Sequence, residues 1–552
     1  MPVRDELEQP SLATRLRALI KNPRALIADP KRLMPVAAII LVLALIGIFP
    51  TGGSSGRITT DGGKDSASGL EPGQGGLEAS AGAAGEAVTG TSPGAAAKRA
   101  GGTLTGGGSK VGVDIPISDT EMAVGVFIIT NPGNANNAAG FGGIGQVDQK
   151  RAWETMAAEV NKNPPFGRKV KLVPYSSTEE NALAKGDALW EEACAHWTRD
   201  NKVFMVWSVG PEPLRSCLTK AKVAQVGSGT GDSYAKTFKD YPWYVEHNTP
   251  AVDRLATFVV DQLWEQGYFQ SCRPDSKQEL SCVDGKPRIA LLRYQYPSYR
   301  AGAAALKNAL AKYGLALCDG CEFEATHSTT NLAEQLDDAT EVQSAVLKCK
   351  GTNTATSSVP GTPPGPCTHV MFLSSLYGCR LSTFYAQAAE DQGFHPRLGL
   401  NSLDCPDFMS SYWTTNTGDQ KYYNQFPASL VVSHSPDDFG IRTPAYQECR
   451  AIFEKSGETF GGADDTANSK EGQITTYCDT AWYHLAAFNA AGQNVNLDTW
   501  LTGVANTGSI KSAGTYLMRT TATRHDGAGA IRIGDWDGAA KKFKPITGDI
   551  PV

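Results

Sequence analysis

Ile289–Lys307 reads IALLRYQYPSYRAGAAALK. It holds an aliphatic run of strand length, a loop carrying Tyr294, Tyr296 and Tyr299, and an alanine-rich stretch at helical spacing. This strand–loop–helix unit restarts a pattern already seen upstream. Short β-branched or aliphatic runs at Met122–Thr130, Val170–Pro174, Val203–Val209, Ala224–Gly227 and Tyr244–Glu246 predict strands. The stretches Gln146–Asn161, Glu179–Arg199, Pro211–Lys222 and Leu255–Trp264 predict the helices among them. A Cys-bearing insert, Ser271–Lys286, interrupts the alternation. Downstream it resumes with strand Arg288–Arg293, helices Tyr299–Tyr313 and Leu332–Lys348, strand His369–Phe372, helix Leu381–Gln392, and strands Arg397–Asn401 and Ser429–Ser433. Strands alternating with helices imply a mostly parallel sheet covered on both faces. The fold class read here is therefore α/β, with two doubly wound parallel-sheet lobes, 119–270 and 287–435.

The remaining segment, 436–552, does not read as a third domain. Helix Gln473–Ala491 sets Thr476, Thr480, Tyr483 and Ala487 on one stripe, and GAIRIGDWDGAAKKFKPI reads as a hairpin. Such a segment is expected to cross back through a multi-crossing hinge and complete both lobes. Two lobes joined in this way make a clamp, with its cleft at the strand C-termini.

The other end of the chain has a different character. A basic segment, 1–33, precedes an apolar span, 34–50, and Leu33–Phe49 carries no charge. That run reaches roughly 25 Å as a helix, slightly short of a ~30 Å hydrocarbon core. Its long leader and its Ile48-Phe49-Pro50 ending suit an uncleaved transmembrane anchor better than a signal peptide. Arg15, Arg17, Lys21, Arg24, Lys31 and Arg32 hold the N-terminus on the cytoplasmic side by the positive-inside rule. Residues 51–115, rich in Gly and Ser, lack the apolar side chains to form a core and read as a disordered linker. The expected location is thus the cell membrane, single-pass, with the C-terminal domain extracytoplasmic.

Twelve cysteines fall between Cys194 and Cys478, which in that compartment reads as disulfides. Sequence does not fix their connectivity, but closure between neighbours gives Cys194–Cys217, Cys272–Cys282, Cys349–Cys367, Cys379–Cys405 and Cys449–Cys478. Cys318 and Cys321, in CDGC, are left as a structural bridge, with a redox or half-zinc reading as the alternative. The net charge of −6, without a basic stripe, argues against a nucleic-acid surface.

Ser208, Ser228 and Thr230 stand where a strand gives way to a helix, so hydroxyls and free N–H groups meet at a positive helix end. Such turns suit a carboxylate or another polar group; the plainer alternative is ordinary helix capping. Three stretches carry a resemblance: WSVGPEPL (Trp207–Leu214), AQVGSGTGDSY (Ala224–Tyr234) and the Ile289–Lys307 unit. The closing RHDGAGAIRIGDWDG (Arg524–Gly538) adds to it. From Glu121 onward the chain resembles the type I periplasmic-binding-protein family, in its leucine/isoleucine/valine-binding-like branch of ABC-transporter substrate-binding proteins. The resemblance implies that Ser208, Ser228 and Thr230 hold a ligand carboxylate, that Tyr299 closes over the ligand from the second lobe, and that Tyr377 adds a second-lobe contact. It also implies a small-molecule ligand and an ABC permease as partner. Around Tyr377 stand Cys379 and Arg380, with Asp404 only on the next turn, so the acidic partner for an α-ammonium is not evident.

Enzymatic signatures are weak. Gly140–Gly145 matches G-x-G-x-x-G, but it lies far from its strand, and the next strand ends in Pro174-Tyr175-Ser176-Ser177 without the acid a dinucleotide ribose needs. No H-E-x-x-H occurs. The chain is read as a non-enzyme without cofactor or metal. The alternative to solute delivery is an anchored receptor or assembly factor that uses the same clamp.

Overall fold

The computed structural model describes residues 117–130, 147–208, 210–228, 232–270, 287–326, 332–351, 366–374, 380–407, 409, 420–461 and 470–552. The basic segment, the apolar span, the linker, the Gly140–Gly145 loop, the Ser271–Lys286 insert, Thr230 and Tyr377 lie outside the described residues. Among the described residues no helix is long and apolar enough to cross a membrane.

The first lobe is built in chain order from β1 (Glu121–Thr130), α1 (Gln149–Val160), β2 (Lys169–Thr178), α2 (Glu179–Lys185), α3 (Asp187–Ala195), β3 (Met205–Trp207), α4 (Glu212–Lys220), β4 (Ala224–Gly227), α5 (Ala235–Asp240) and β5 (Tyr244–Glu246). The strands form a five-stranded parallel sheet in the order β2-β1-β3-β4-β5. β1 shows why it is covered on both faces. Met122, Val124, Val126 and Ile128 enter one apolar cluster with α1, while Ala123 and Phe127 pack on a second built around Cys194, Trp197 and Leu214. Alternate side chains of a strand point to opposite faces, so this one strand serves two helical layers. The single helix expected over Glu179–Arg199 is broken at Gly186, whose φ of 53° and ψ of −126° no helix accommodates. It continues as α3 and a wider turn, His196–Asp200.

The second lobe begins earlier than its expected start at 287. Helix α6 (Val252–Glu265) buries Val252, Leu255, Val259 and Leu263 in the second core, so the chain leaves the first lobe just after β5. Then come β6 (Ile289–Tyr294), α7 (Pro297–Lys312), β7 (Leu317–Ala325), α8 (Leu332–Gly351), β8 (His369–Leu373), α9 (Arg380–Asp391), β9 (Arg397–Asn401) and β10 (Leu430–Ser433). β7 was not foreseen from sequence. It pairs parallel with β6 on the sheet's edge.

The closing segment serves both lobes. Helices α10 (Pro444–Lys455), α11 (Lys470–Ala491) and α12 (Leu497–Ala505) return to the first core, with Cys449, Phe453, Ile474, Tyr483 and Trp500 buried there. Strands β11 (Ala530–Asp537), β12 (Lys542–Pro545) and β13 (Ile550–Pro551) then complete an eight-stranded second sheet, β11 running antiparallel beside β10. Cys194–Cys217 ties α3 to α4, Cys449–Cys478 ties α10 to α11, and Cys349–Cys367 joins the end of α8 to the start of β8. Cys318–Cys321 closes on itself within β7. The first three pairs are those that neighbour closure gives, and Cys318–Cys321 is the remaining pair read as a bridge. Cys272, Cys282 and Cys379 lie outside the described residues.

Candidate ligand cleft and hinge

Three chain crossings join the lobes, and their positions define which edges of the sheets face each other. The first leaves the C-terminal end of β5, the second leaves the C-terminal end of β10, and the third arrives at β11 beside it. The hinge therefore lies at the strand C-termini of both sheets, where ligands of open α/β sheets bind.

The crossings are bonded to one another. Glu246 N donates to His525 O at 3.0 Å, and Gly527 N donates to Glu246 O at 2.7 Å. Asp526 Oδ2 accepts from Ala251 N (2.8 Å) and from Arg254 Nε (2.6 Å), while Arg254 Nη2 donates to Ala528 O at 2.7 Å. The second crossing joins through Tyr516 N donating to His434 O at 3.1 Å. Gly527 is required by space alone: a Cβ there would sit 1.8 Å from His247 O.

On the first lobe, the register Trp207 against Val226 brings Ser208 and Ser228 to adjacent strand ends. Ser208 N donates to Val226 O (3.1 Å), and Gln225 Nε2 donates to Ser208 O (3.0 Å), fixing that turn. Both serines are half-buried. Thr476 Oγ1, on α11, donates to Ser228 Oγ at 3.4 Å. One turn on, Thr480 Oγ1 donates to Thr476 O at 2.8 Å. Its single hydrogen is thereby used, so the 2.8 Å contact with His247 Nε2 has the histidine donating. Burial pushes the His247 pKa down to about 3, so the ring is neutral. The stripe Thr476, Thr480 and Tyr483 thus backs the wall that carries Ser228. Thr476 was placed on that stripe from sequence but not recognised as a site residue. The positive end of α4, next to Ser208, already holds a carboxylate, Glu212, which accepts from the Tyr241 hydroxyl at 3.0 Å.

Of the second-lobe residues, Tyr299 does not stand open to the cleft. It is 1% exposed and packs in the second core against Tyr294 and Tyr296, with ring centroids 5.7 and 6.3 Å away. An aromatic residue in the first turns of an amphipathic helix after a buried strand is drawn inward, and α7 turns Tyr299 to the core with Ala303 and Leu306. Tyr296, half-buried in the loop between β6 and α7, is the aromatic left at the strand end. Asp404 is also turned inward. It accepts from Asn401 N (2.8 Å), Asn401 Nδ2 (2.7 Å) and Ser374 Oγ (2.5 Å), and burial raises its pKa to about 7.

Asp438 sits at the second crossing under similar burial, which raises its pKa to about 8. The Ser433 hydroxyl has one hydrogen and two acceptors in reach, Ser435 O at 2.8 Å and Asp438 Oδ2 at 2.7 Å. Burial raises Glu246 to about 8 as well. Both folded values lie above those of the unfolded chain, about 4. Their contribution is therefore complete below that value and is lost as pH rises through about 8. The depressed histidines His247, His434 and His484 oppose this only below about 6.5. Thermal unfolding is accordingly expected at lower temperature at pH 8.5 than at pH 6.5, each acid withdrawing up to ~1.4 kcal/mol per pH unit. Asp438→Asn should shrink the difference by its own share and leave that of Glu246; an unchanged slope in that variant would show that Asp438 contributes none of it.

Searches with family models and against curated protein sequences return no match. Solved structures do match. The substrate-binding protein of an ABC transporter from Aeropyrum pernix aligns with a TM-score of 0.51 at 12% identity, over 78% of this chain and 96% of that one. A solute-binding protein of an ABC transporter from Rhodopseudomonas palustris BisB5, in complex with 3,4-dihydroxybenzoic acid, aligns with a TM-score of 0.50 at 11% identity, over 79% and 98%. The fold is that of the type I periplasmic binding proteins. Both of these structures are solute- or substrate-binding proteins of ABC transporters.

Proposed function

We propose that this chain is an extracytoplasmic solute-binding protein that clamps a small polar or anionic ligand between its lobes and presents it to an ABC permease. The single observation that carries this reading is that Ser208 and Ser228 stand at the strand ends of one lobe that meet the hinge, with Thr476 of α11 bonded to Ser228. Tyr296 stands at a corresponding strand end of the other lobe, and in this reading it replaces Tyr299 as the closing aromatic. Thr230 and Tyr377, outside the described residues, belong to the same proposal on their positions in sequence. The apolar span 34–50 tethers the clamp to the membrane through the linker 51–115. The clamp binds and releases its ligand without changing it chemically.

A ligand held by both lobes favours the closed state through contacts it makes only there. Losing a hydroxyl paired with a buried ligand group costs ~1–3 kcal/mol, about a ten- to hundredfold loss in affinity. Thermal-shift screening of aromatic carboxylates, with 3,4-dihydroxybenzoate first, then amino acids, sugars and short peptides, is expected to yield a stabilising ligand. Ser228→Ala should keep the melting temperature of the free protein and lose most of the ligand-induced shift. Full retention of affinity in Ser228→Ala and Thr476→Val would place the site elsewhere, and the absence of any small ligand would favour a protein partner.

A further inference from the structure

Two disulfides meet in the second lobe. Between Ile289 and Leu291, β6 advances two residues, while its partner β7 advances from Leu317 to Glu322, so Cys318 to Cys321 are looped out as a bulge. The Cys318–Cys321 bond closes that bulge, with Gly320 at a φ of 71° on its exposed tip. Behind it lies Cys349–Cys367, and Cys367 Sγ is 3.9 Å from Cys321 Sγ, close to contact between two sulfurs. Access is unequal. Cys318, itself only 3% exposed, lines a surface cavity of about 360 Å³ beside Lys307 and Asp319, and Cys321, Cys349 and Cys367 are fully buried.

We infer that these four cysteines form a two-step thiol–disulfide relay, taking electrons from an external dithiol at Cys318 and passing them to Cys349. A bond spanning three positions restrains the unfolded chain less than one spanning eighteen, so on loop length the bulge bond is the easier to open. A thiolate of the dithiol bonds to Cys318 Sγ, the Cys318–Cys321 bond breaks, and its electron pair leaves on Cys321. The Cys321 thiolate bonds to Cys367 Sγ, the Cys349–Cys367 bond breaks, and Cys349 departs as a thiolate that takes a proton from water. The second thiol of the dithiol then displaces Cys318 and closes the external pair as a disulfide. Two electrons and two protons have entered, leaving Cys318 and Cys349 as thiols and a new Cys321–Cys367 bond. The exchange unties α8 from the start of β8 and ties the edge strand to it instead.

The test uses the full chain under native conditions. It is treated with limiting dithiothreitol, quenched in acid, alkylated and mapped by mass spectrometry. Cys318 and Cys349 are expected to label first and in equal amounts, with a Cys321–Cys367 cross-linked peptide. Cys318→Ala makes the same point without reductant: the freed Cys321 should exchange, so that label appears on Cys349. Label confined to Cys318 and Cys321 in the wild type, or to Cys321 in the variant, would overturn the relay. So would finding all four as thiols around one zinc ion in the isolated protein. The relay does not depend on the ligand reading, and either can fail without the other.

Discussion

Gly527→Ala is expected to be the most damaging single-methyl change in the described chain. The added carbon would lie 1.8 Å from His247 O and 2.3 Å from the carbonyl carbon, so backbone must move rather than a side chain. Moving it breaks the 2.7 Å bond from Gly527 N to Glu246 O and disturbs the neighbouring Asp526–Arg254 pair. Overpacking costs ~1–3 kcal/mol and more when backbone is displaced; with the lost hydrogen bond added, about 3–5 kcal/mol is expected. Urea unfolding against Gly548→Ala, an exposed position with open space around it, measures this. A Gly527→Ala protein within 1 kcal/mol of the wild type would mean that the crossings do not approach as described.

Tyr299→Ala should be almost as costly, and its partner variant separates packing from binding. Tyr299 is buried among Tyr294, Tyr296 and the helix–sheet contacts of the second core, and large-to-small changes at such sites cost about 3–5 kcal/mol. Tyr296→Ala removes a half-buried ring and should cost less than half of that. The two effects on a bound ligand run the other way: with a ligand from the thermal-shift screen, Tyr296→Ala should weaken binding tenfold or more. Equal destabilisation by both, with affinity unchanged in both, would remove Tyr296 from the cleft.

The alternation of strands and helices was legible because each parallel strand is a short apolar run bounded by turns. β6 and β8 are buried at every residue, and each shows in sequence as such a run. β7 escaped because its first half is CDGC, in which a bulge removes the strand's period while leaving its place in the sheet. The lobe boundary was misplaced for a similar reason. The apolar stripe of α6 announces a helix but not which core receives it, and the Cys-bearing insert that suggested a boundary comes after the crossing. The serines at the ends of β3 and β4 could be found from turn chemistry. The inward rotation of Tyr299 could not, since helix phase after a proline-led start is set by packing. Gly527 looked like one of many glycines near the C-terminus; its need arises from His247, some 280 positions earlier in the chain.

The return of the last hundred residues to both lobes also governs when this protein can fold. Val147 N donates to Gln473 Oε1 across 326 positions, and the first core contains Ile474, Tyr483 and Trp500. The second sheet is incomplete until β11 lies beside β10. During synthesis, then, neither lobe can close its core while the C-terminal hundred residues are still being made, and contacts this distant in sequence form slowly. The emerging chain stays open over most of its length until residues 470–552 have been made, and fragments cut at the crossings near residue 250 or 436 would each lack part of a core.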